Sequence, residues 1–222
     1  MMECLTGMEL MDTADDVSGW TPEHIGQALR DIAQVHARWL GREDEVRAMG
    51  WFDNAPTRRA MTAAAPLWRG LIQHGRDEFP EWIRPEHTAR FQRMIDTMPE
   101  WWAAIEKMPR TLVHNDFNPR NAAFRTVDGE RRLCVYDWEL ATLHIPQRDL
   151  AELLAFTLNT NTTLDQVREL VETHRQAVAA ASGQELDPAQ WWDGFRFALR
   201  DYAVNRVAMY VLAHSGKHYG FM

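Results

Sequence analysis

Cysteine is scarce in this sequence of 222 residues, which contains two cysteines. Cys4 and Cys134 are too few and too far apart for a disulfide framework, so we expect a reducing, cytoplasmic setting. No apolar run approaches the length of a membrane span. The N-terminus also lacks the basic and apolar regions of a secretory signal. The sequence therefore predicts a cytoplasmic protein with no membrane partner.

Positive charge is limited as well. Lysine and arginine total 24 against 32 aspartate and glutamate residues, which gives a formal net charge of -8. Phosphate backbones are bound by basic patches, so we expect no nucleic-acid partner. The acidic balance favours a cationic small molecule, although weakly. The hydrophobic content of 45% is that of a globular chain with a sizeable core.

Helical signals dominate the first hundred residues. Thr21 as N-cap, Pro22 at the first helical position and an apolar face that begins at Ile25 predict a helix that stops near Gly41. Residues 57–73 and 86–107 are typical of two more helices. Pro66 and Pro99 should kink or break them.

The pattern changes at residue 111. "TLVH", "NAAFR" and "RRLCVYDW" predict three short strands, and Asp128-Gly129 between the last two predicts a hairpin turn. Helical periodicity then returns, with predicted N-caps at Asp149, Thr163 and Asp187 and a stop at Gly183. We expect a mainly α fold with a small β-hairpin region (α+β), not a doubly wound sheet.

The stretch "LVHNDFNPRN", residues 112–121, concentrates unusual side chains at the end of a strand. A hairpin folds its ends together, so we expect Asp116, Asn121 and Asp137 to share one small volume. Amide and carboxylate oxygens suit Mg²⁺. The order His114, Asp116, Asn121 and then Asp137 follows the H-x-D-x-x-x-x-N pattern of phosphoryl transfer. The plainer alternative is an Asx-turn for Asp116 and Asn121, or a strand-end turn for Asp137. His114 fits a loop brace as well as a catalytic role.

The same residues carry a resemblance to a known family. "LVHNDFNPRNAAF" and "RRLCVYDWELATLHIPQRDLAELLAF" resemble the catalytic core of the aminoglycoside phosphotransferase and choline kinase-like family. "GWTPEHIGQALRDIAQVHARW" resembles the helix after the hinge in that family, and "CLTGMELMD" its hinge strand. The resemblance implies the large helical lobe of a protein kinase-like phosphotransferase that uses Mg²⁺ and ATP or another nucleoside triphosphate. It implies Asp116 as the catalytic carboxylate and Asn121 and Asp137 as magnesium ligands. It gives Asp149 a structural role.

Two neighbouring residues are candidates for contact with the nucleotide. Asn118 stands where protein kinases often carry lysine, and Arg120 could supply the missing positive charge. The alternative for Arg120 is a side chain directed to solvent or to a helix terminus.

The family's small lobe has no counterpart in the sequence. None of the twelve glycines forms G-x-G-x-x-G, and the lysines are Lys107 and Lys217. We expect a hinge-like strand and linker at residues 1–20 and a helical catalytic lobe at 21–222, with the loop and hairpin at 111–139. Three explanations for the missing small lobe remain open. The sequence is a fragment, the small lobe is supplied by another chain, or the large lobe stands alone. We expect a second copy of the chain or a partner chain to cover the apolar surface that a small lobe would otherwise contact.

Three functions compete at this point. The first is a phosphotransferase lobe that acts on a small-molecule hydroxyl, with a cationic acceptor met by acidic side chains. The second is a non-catalytic binding or scaffold module derived from such a lobe. The third, a metal hydrolase using His114, Asp116 and His144, lacks the usual histidine spacing.

The tryptophan pairs 101–102 and 191–192 fit core packing, or an aromatic pocket for a cation. The acidic candidates for the acceptor are Glu139, Glu152, Asp193 and Asp201.

Overall fold

The computed structural model describes residues 6–11, 16–50 and 55–216. Over these ranges, no helix is long and apolar enough to cross a membrane. The described chain is mostly helical with small antiparallel sheets, which confirms the α+β class. The helices are α1 (Pro22–Trp39), α2 (Glu43–Ala48), α3 (Arg58–Ala63), α4 (Ala65–Glu78), α5 (Pro85–Asp96), α6 (Met98–Ile105), α7 (Gln147–Thr157), α8 (Leu164–Ser182), α9 (Pro188–Tyr202) and α10 (Ala208–Gly216).

Proline and capping residues set the helix boundaries largely as predicted. The Thr21 side chain accepts a hydrogen bond from the His24 N–H, and Pro22 opens α1. Pro66 and Pro99 lie in the first turns of α4 and α6, so each predicted helix is divided in two. Thr163 forms a capping box at the start of α8.

The strands form two small antiparallel sheets. The first has the order β1-β3-β4, and Asp128-Gly129 makes the turn between β3 and β4 as predicted. The second pairs β2 with β5, a three-residue strand that was not predicted because so short a run carries no periodicity. The segment 4–12, expected to be a hinge-like strand or linker, contains β1 within its described part, and residues 4, 5 and 12 lie outside the described residues. The strands are β1 (Glu9–Leu10), β2 (Thr111–Val113), β3 (Ala122–Val127), β4 (Glu130–Val135) and β5 (Thr142–His144).

One predicted helix cap in the second half is wrong, and the last helix contains a segment that was not predicted. Asp149 is not an N-cap, because α7 begins at Gln147 after Pro146 and Asp149 is fully buried in the first turn. The helix predicted from Asp187 is helical over residues 188–216, but a π-helical segment (Ala203–Val207) that was not predicted separates α9 from α10. Neither feature leaves a mark on hydrophobic periodicity.

The core is built where α1, α6, α7, α8 and α9 meet below the sheets. Its members include Trp102, Phe117 and Phe124, which are completely buried. Trp101 and Trp191 are also buried, so core packing explains three of the four paired tryptophans. Trp192 packs against this core, and the Arg168 guanidinium lies 5.5 Å from the centroid of its ring, as in a surface cation–π contact.

Candidate active site

The loop after β2 holds the carboxylate of Asp116 in one orientation. Asn121 donates its side-chain N–H groups to the carbonyl of Asp116 at 2.9 Å and to Oδ2 at 2.8 Å. Asn118 donates to Oδ1 of the same carboxylate at 3.2 Å. A 3₁₀ turn over Pro119–Asn121 makes this possible, since Asn118 also caps the turn by accepting from the Arg120 N–H. The local sequence therefore folds into a loop that presents one partly exposed carboxylate.

Asn121 and Asp137 each keep an oxygen free to bind a cation. Because both acceptors of the Asn121 NH₂ group are oxygens of Asp116, the amide oxygen must point the other way. The hairpin brings this residue beside Tyr136, whose N–H donates to the Asn121 carbonyl at 3.1 Å. Asp137 follows in the left-handed conformation (φ 63°), with an exposed side chain. An amide oxygen and a carboxylate fit Mg²⁺, which takes few protein ligands.

Within the described ranges, no group of three or more histidine, cysteine, aspartate or glutamate side chains is arranged to hold a metal ion. The metal-hydrolase interpretation required His114, Asp116 and His144 together. His144 instead lies against Asp201, with its Nε2 3.5 Å from Oδ2, and stacks edge-on against Trp102. The geometry gives that interpretation no support.

His114 uses both ring nitrogens to hold backbone groups. Its Nε2–H donates to the Tyr136 carbonyl at 2.8 Å, since a carbonyl can only accept. Its Nδ1 accepts the N–H of Asp116 at 3.3 Å. The ring is buried and packs against Trp138 at 4.7 Å. His114 thus ties the segment that carries Asp116 to the residue before Asp137, as expected of a brace.

Asp149 organises the start of the loop from below. Its carboxylate accepts the N–H groups of His114 and Asn115 at 2.8 and 2.9 Å and a hydrogen bond from His36 Nε2 at 3.0 Å. Burial alone would raise the pKa of Asp149, but these donors outweigh it and hold the pKa below its ordinary value. His36 Nδ1 in turn accepts from Nε2 of His174 on α8 at 2.9 Å. Sequence spacing did not reveal this series of hydrogen bonds from His174 through His36 to Asp149, although Asp149 was expected to have a structural role.

A second buried polar cluster lies between α7, α9 and α10. Arg148 pairs with Glu152 (Nη1–Oε2 2.9 Å) and with Asp201 (Nε–Oδ2 3.6 Å), and Tyr210 donates to Glu152 Oε1 at 3.0 Å. Burial raises the pKa of Glu152, against the opposing effects of Arg148 and Arg206. Two acidic residues considered for the acceptor are therefore already paired inside the protein.

Buried histidines predict that stability falls in mild acid. Burial, with Arg148 nearby, lowers the pKa of His144 to about 3, and burial also holds the pKa of His174 well below its ordinary value. The unfolded chain then binds more protons below pH 6.5, which favours unfolding. Burial raises the pKa of Asp201 to about 6, which opposes this trend below pH 6. We expect the free energy of unfolding, measured with urea, to fall by about 2 kcal/mol from pH 7 to pH 5.

A substitution at the buried ring should remove much of this pH dependence. His144→Gln should flatten the change between pH 7 and pH 5. The matched variant His87→Gln, on α5 where the ring bonds the Trp82 carbonyl at the surface, should retain it. A wild-type chain that is more stable at pH 5 than at pH 7 would contradict the assignment.

No curated protein matches the chain. The sequence model of the family APH, described as the phosphotransferase enzyme family, matches residues 1–192. This range contains the loop with Asp116, the hairpin and Asp149, and it covers most of the 222 residues. The chain therefore belongs to the phosphotransferase enzyme family.

Proposed function

We propose that the chain is the catalytic lobe of a phosphotransferase that uses Mg²⁺ and ATP, or another nucleoside triphosphate, to phosphorylate a small-molecule hydroxyl. One observation carries the proposal. The loop fixes the Asp116 carboxylate with two amide side chains, while the Asn121 amide oxygen and the Asp137 carboxylate stay uncommitted. An inert Asx-turn would not need all three features.

Asp116 would act on the acceptor hydroxyl. The hydroxyl oxygen forms a bond to the terminal phosphorus, its proton passes to the Asp116 carboxylate, and the nucleoside diphosphate leaves with the electrons of the broken bond. Asn121 and Asp137 would hold Mg²⁺, which when bound neutralises charge on the phosphate oxygens. Asn118 and Asn121 would orient Asp116, because their side-chain N–H groups bond both carboxylate oxygens and so fix the plane of the carboxylate.

The contacts of the residues around Asp116 favour supporting roles for two of them. His114 would position the loop rather than transfer a proton, since both of its nitrogens are engaged with backbone. Asn118 is fully buried, which favours support of Asp116 over contact with the nucleotide. Arg120 is partly buried beside it and remains our candidate for nucleotide contact.

The acceptor would approach Asp116 from the side of the C-terminal helices. A cationic group on it cannot use Glu152 or Asp201, which pair with Arg148, and Asp193 pairs with Arg196 at 3.0 Å. Glu139 is exposed two residues after Asp137. If the acceptor is cationic, we propose Glu139 as the side chain that meets it.

We also propose that efficient turnover needs a small lobe above the loop. Positioning and electrostatics supply most of the rate in phosphoryl transfer, and a glycine-rich loop with a strand lysine is the usual source. A second copy or a partner chain would cover the surface near β1 and the hairpin. We expect light scattering to detect that association in a purified sample, and a monomer at high concentration would contradict it.

Calorimetry of nucleotide binding tests the proposed function. We expect Mg²⁺-ATP to bind the protein and Asp137→Asn to weaken that binding about tenfold or more, because a charged metal ligand is lost. The matched variant Asp128→Asn changes an exposed carboxylate at the turn of the same hairpin and should bind as the wild type does.

Two results would oppose the proposal. Equal binding by both variants would remove Asp137 from the metal site. Failure to bind Mg²⁺-ATP, both alone and with a small lobe supplied in trans, would favour the non-catalytic scaffold.

A further inference from the structure

Asn115, the residue before Asp116, is held from three directions. Its N–H donates to Asp149 Oδ1 at 2.9 Å, and its side chain donates to the Leu140 carbonyl at 3.0 Å. Its carbonyl accepts a hydrogen bond from Nη2 of Arg206. These contacts hold a left-handed backbone (φ 62°), a conformation that Asn tolerates better than most residues with a side chain but does not favour.

Arg206 reaches this carbonyl because of the π-helical segment. A π turn holds one residue more than an α turn, so the flanking segments α9 and α10 are rotated against each other by about 100°. The buried face of α9 includes Asp201, to which Asn205 of the π segment donates at 3.0 Å. The buried face of α10 includes Val211, which packs with Ile72 of α4. The π segment thus reconciles two packing surfaces and directs Arg206 to the loop.

The charge of Arg206 fits this place. Its side chain is partly buried and lies close enough to Glu152 and Asp201 to lower the pKa of each, against the larger effect of burial. A hydrogen bond from a charged donor to a carbonyl is stronger than one from a neutral donor. The contact therefore helps to hold the left-handed backbone at Asn115.

We propose that Arg206 is a positioning residue for Asp116, which acts by fixing the Asn115 carbonyl and the left-handed turn that aims the carboxylate. The inference rests on the proposed function for its consequence in catalysis. The structural part, that Arg206 restrains the loop, stands on the contacts alone. Arg206 belongs to neither the loop nor the hairpin, so the acceptor-side helices help to set the site.

Amide hydrogen exchange followed by NMR tests the restraint without any need for turnover. Arg206→Met should raise the exchange rates of the Asn115 and Asp116 amides at least tenfold, with rates in α8 unchanged. Arg206→Lys retains a charged donor and should restore the rates to within about threefold of wild type. The matched variant Arg200→Met removes an arginine that lies over Phe197 on α9 and should leave the loop unaffected.

Turnover, measured on the same variants, separates this inference from the proposed function. Arg206→Met should lower kcat about tenfold or more with little change in the KM for ATP, and Arg206→Lys should recover most of it. Unchanged loop exchange in Arg206→Met, a uniform rise over the whole chain, or an equal rise in Arg200→Met would overturn the inference. Absence of phosphotransfer in the wild type would count against the proposed function only, because the exchange result still decides whether Arg206 restrains the loop.

Discussion

Asp116→Asn should reduce phosphotransfer by about 10²- to 10⁴-fold, the range expected when a general base is removed. The amide has the same shape but accepts a proton far less readily. Its NH₂ group would also face the donor of Asn118 or Asn121, so one hydrogen bond is lost and stability should fall by about 1 kcal/mol. Nucleotide binding should change little, since the Asn121 amide oxygen and Asp137 remain.

The experiment compares initial rates with Mg²⁺-ATP and a panel of hydroxyl acceptors. Asp128→Asn is the matched control, because it makes the same substitution at an exposed turn residue in the adjoining hairpin. Circular dichroism and urea unfolding establish that both variants fold. A rate for Asp116→Asn within threefold of wild type would remove Asp116 from the role of base.

Asp149→Ala should lower the free energy of unfolding by about 3–5 kcal/mol, because it leaves buried polar groups without their acceptor. The N–H groups of His114 and Asn115 and the His36 ring all donate to this carboxylate, which has no exposed surface. Such a loss is a large part of the 5–15 kcal/mol that is typical of a folded domain. We expect Asp149→Asn to cost less, since the amide oxygen can still accept one or two of the three bonds.

Urea unfolding with matched aspartates measures this effect. Asp165→Ala in the first turn of α8 removes an exposed carboxylate paired with Arg168, and its cost should stay below about 1 kcal/mol. Comparable losses of unfolding free energy in the two alanine variants would show that the hydrogen bonds of Asp149 with its three donors do not stabilise the fold as proposed.

The sequence predicted the parts of the fold that depend on local chemistry. Pro66, Pro99 and Thr163 act within one or two turns of their own position, so their effects could be read directly. The Asp128-Gly129 turn likewise determined the register of β3 and β4. The loop that carries Asp116 was predicted from the order of its side chains. For His114 the sequence left two roles open, a brace for the loop and a catalytic residue.

What the sequence did not reveal depends on groups that meet from distant positions. Asp149 resembles a helix cap locally, but its partners on α1 and in the loop draw it inward. The pairing of Arg148 with Glu152 and Asp201 has no periodic signature, and neither has the π segment that carries Arg206. Local propensity and periodicity carry no information about such long-range contacts.

The histidine chain beneath the loop has a consequence for folding. His36 and His174 are separated by 138 residues, and His36 and Asp149 by 113. Contacts between such distant positions form only after long loops have closed, which slows folding. We expect the segment around Asp116 to become ordered late, after α1 and α8 have docked, and to be among the first to lose protection when the chain begins to unfold.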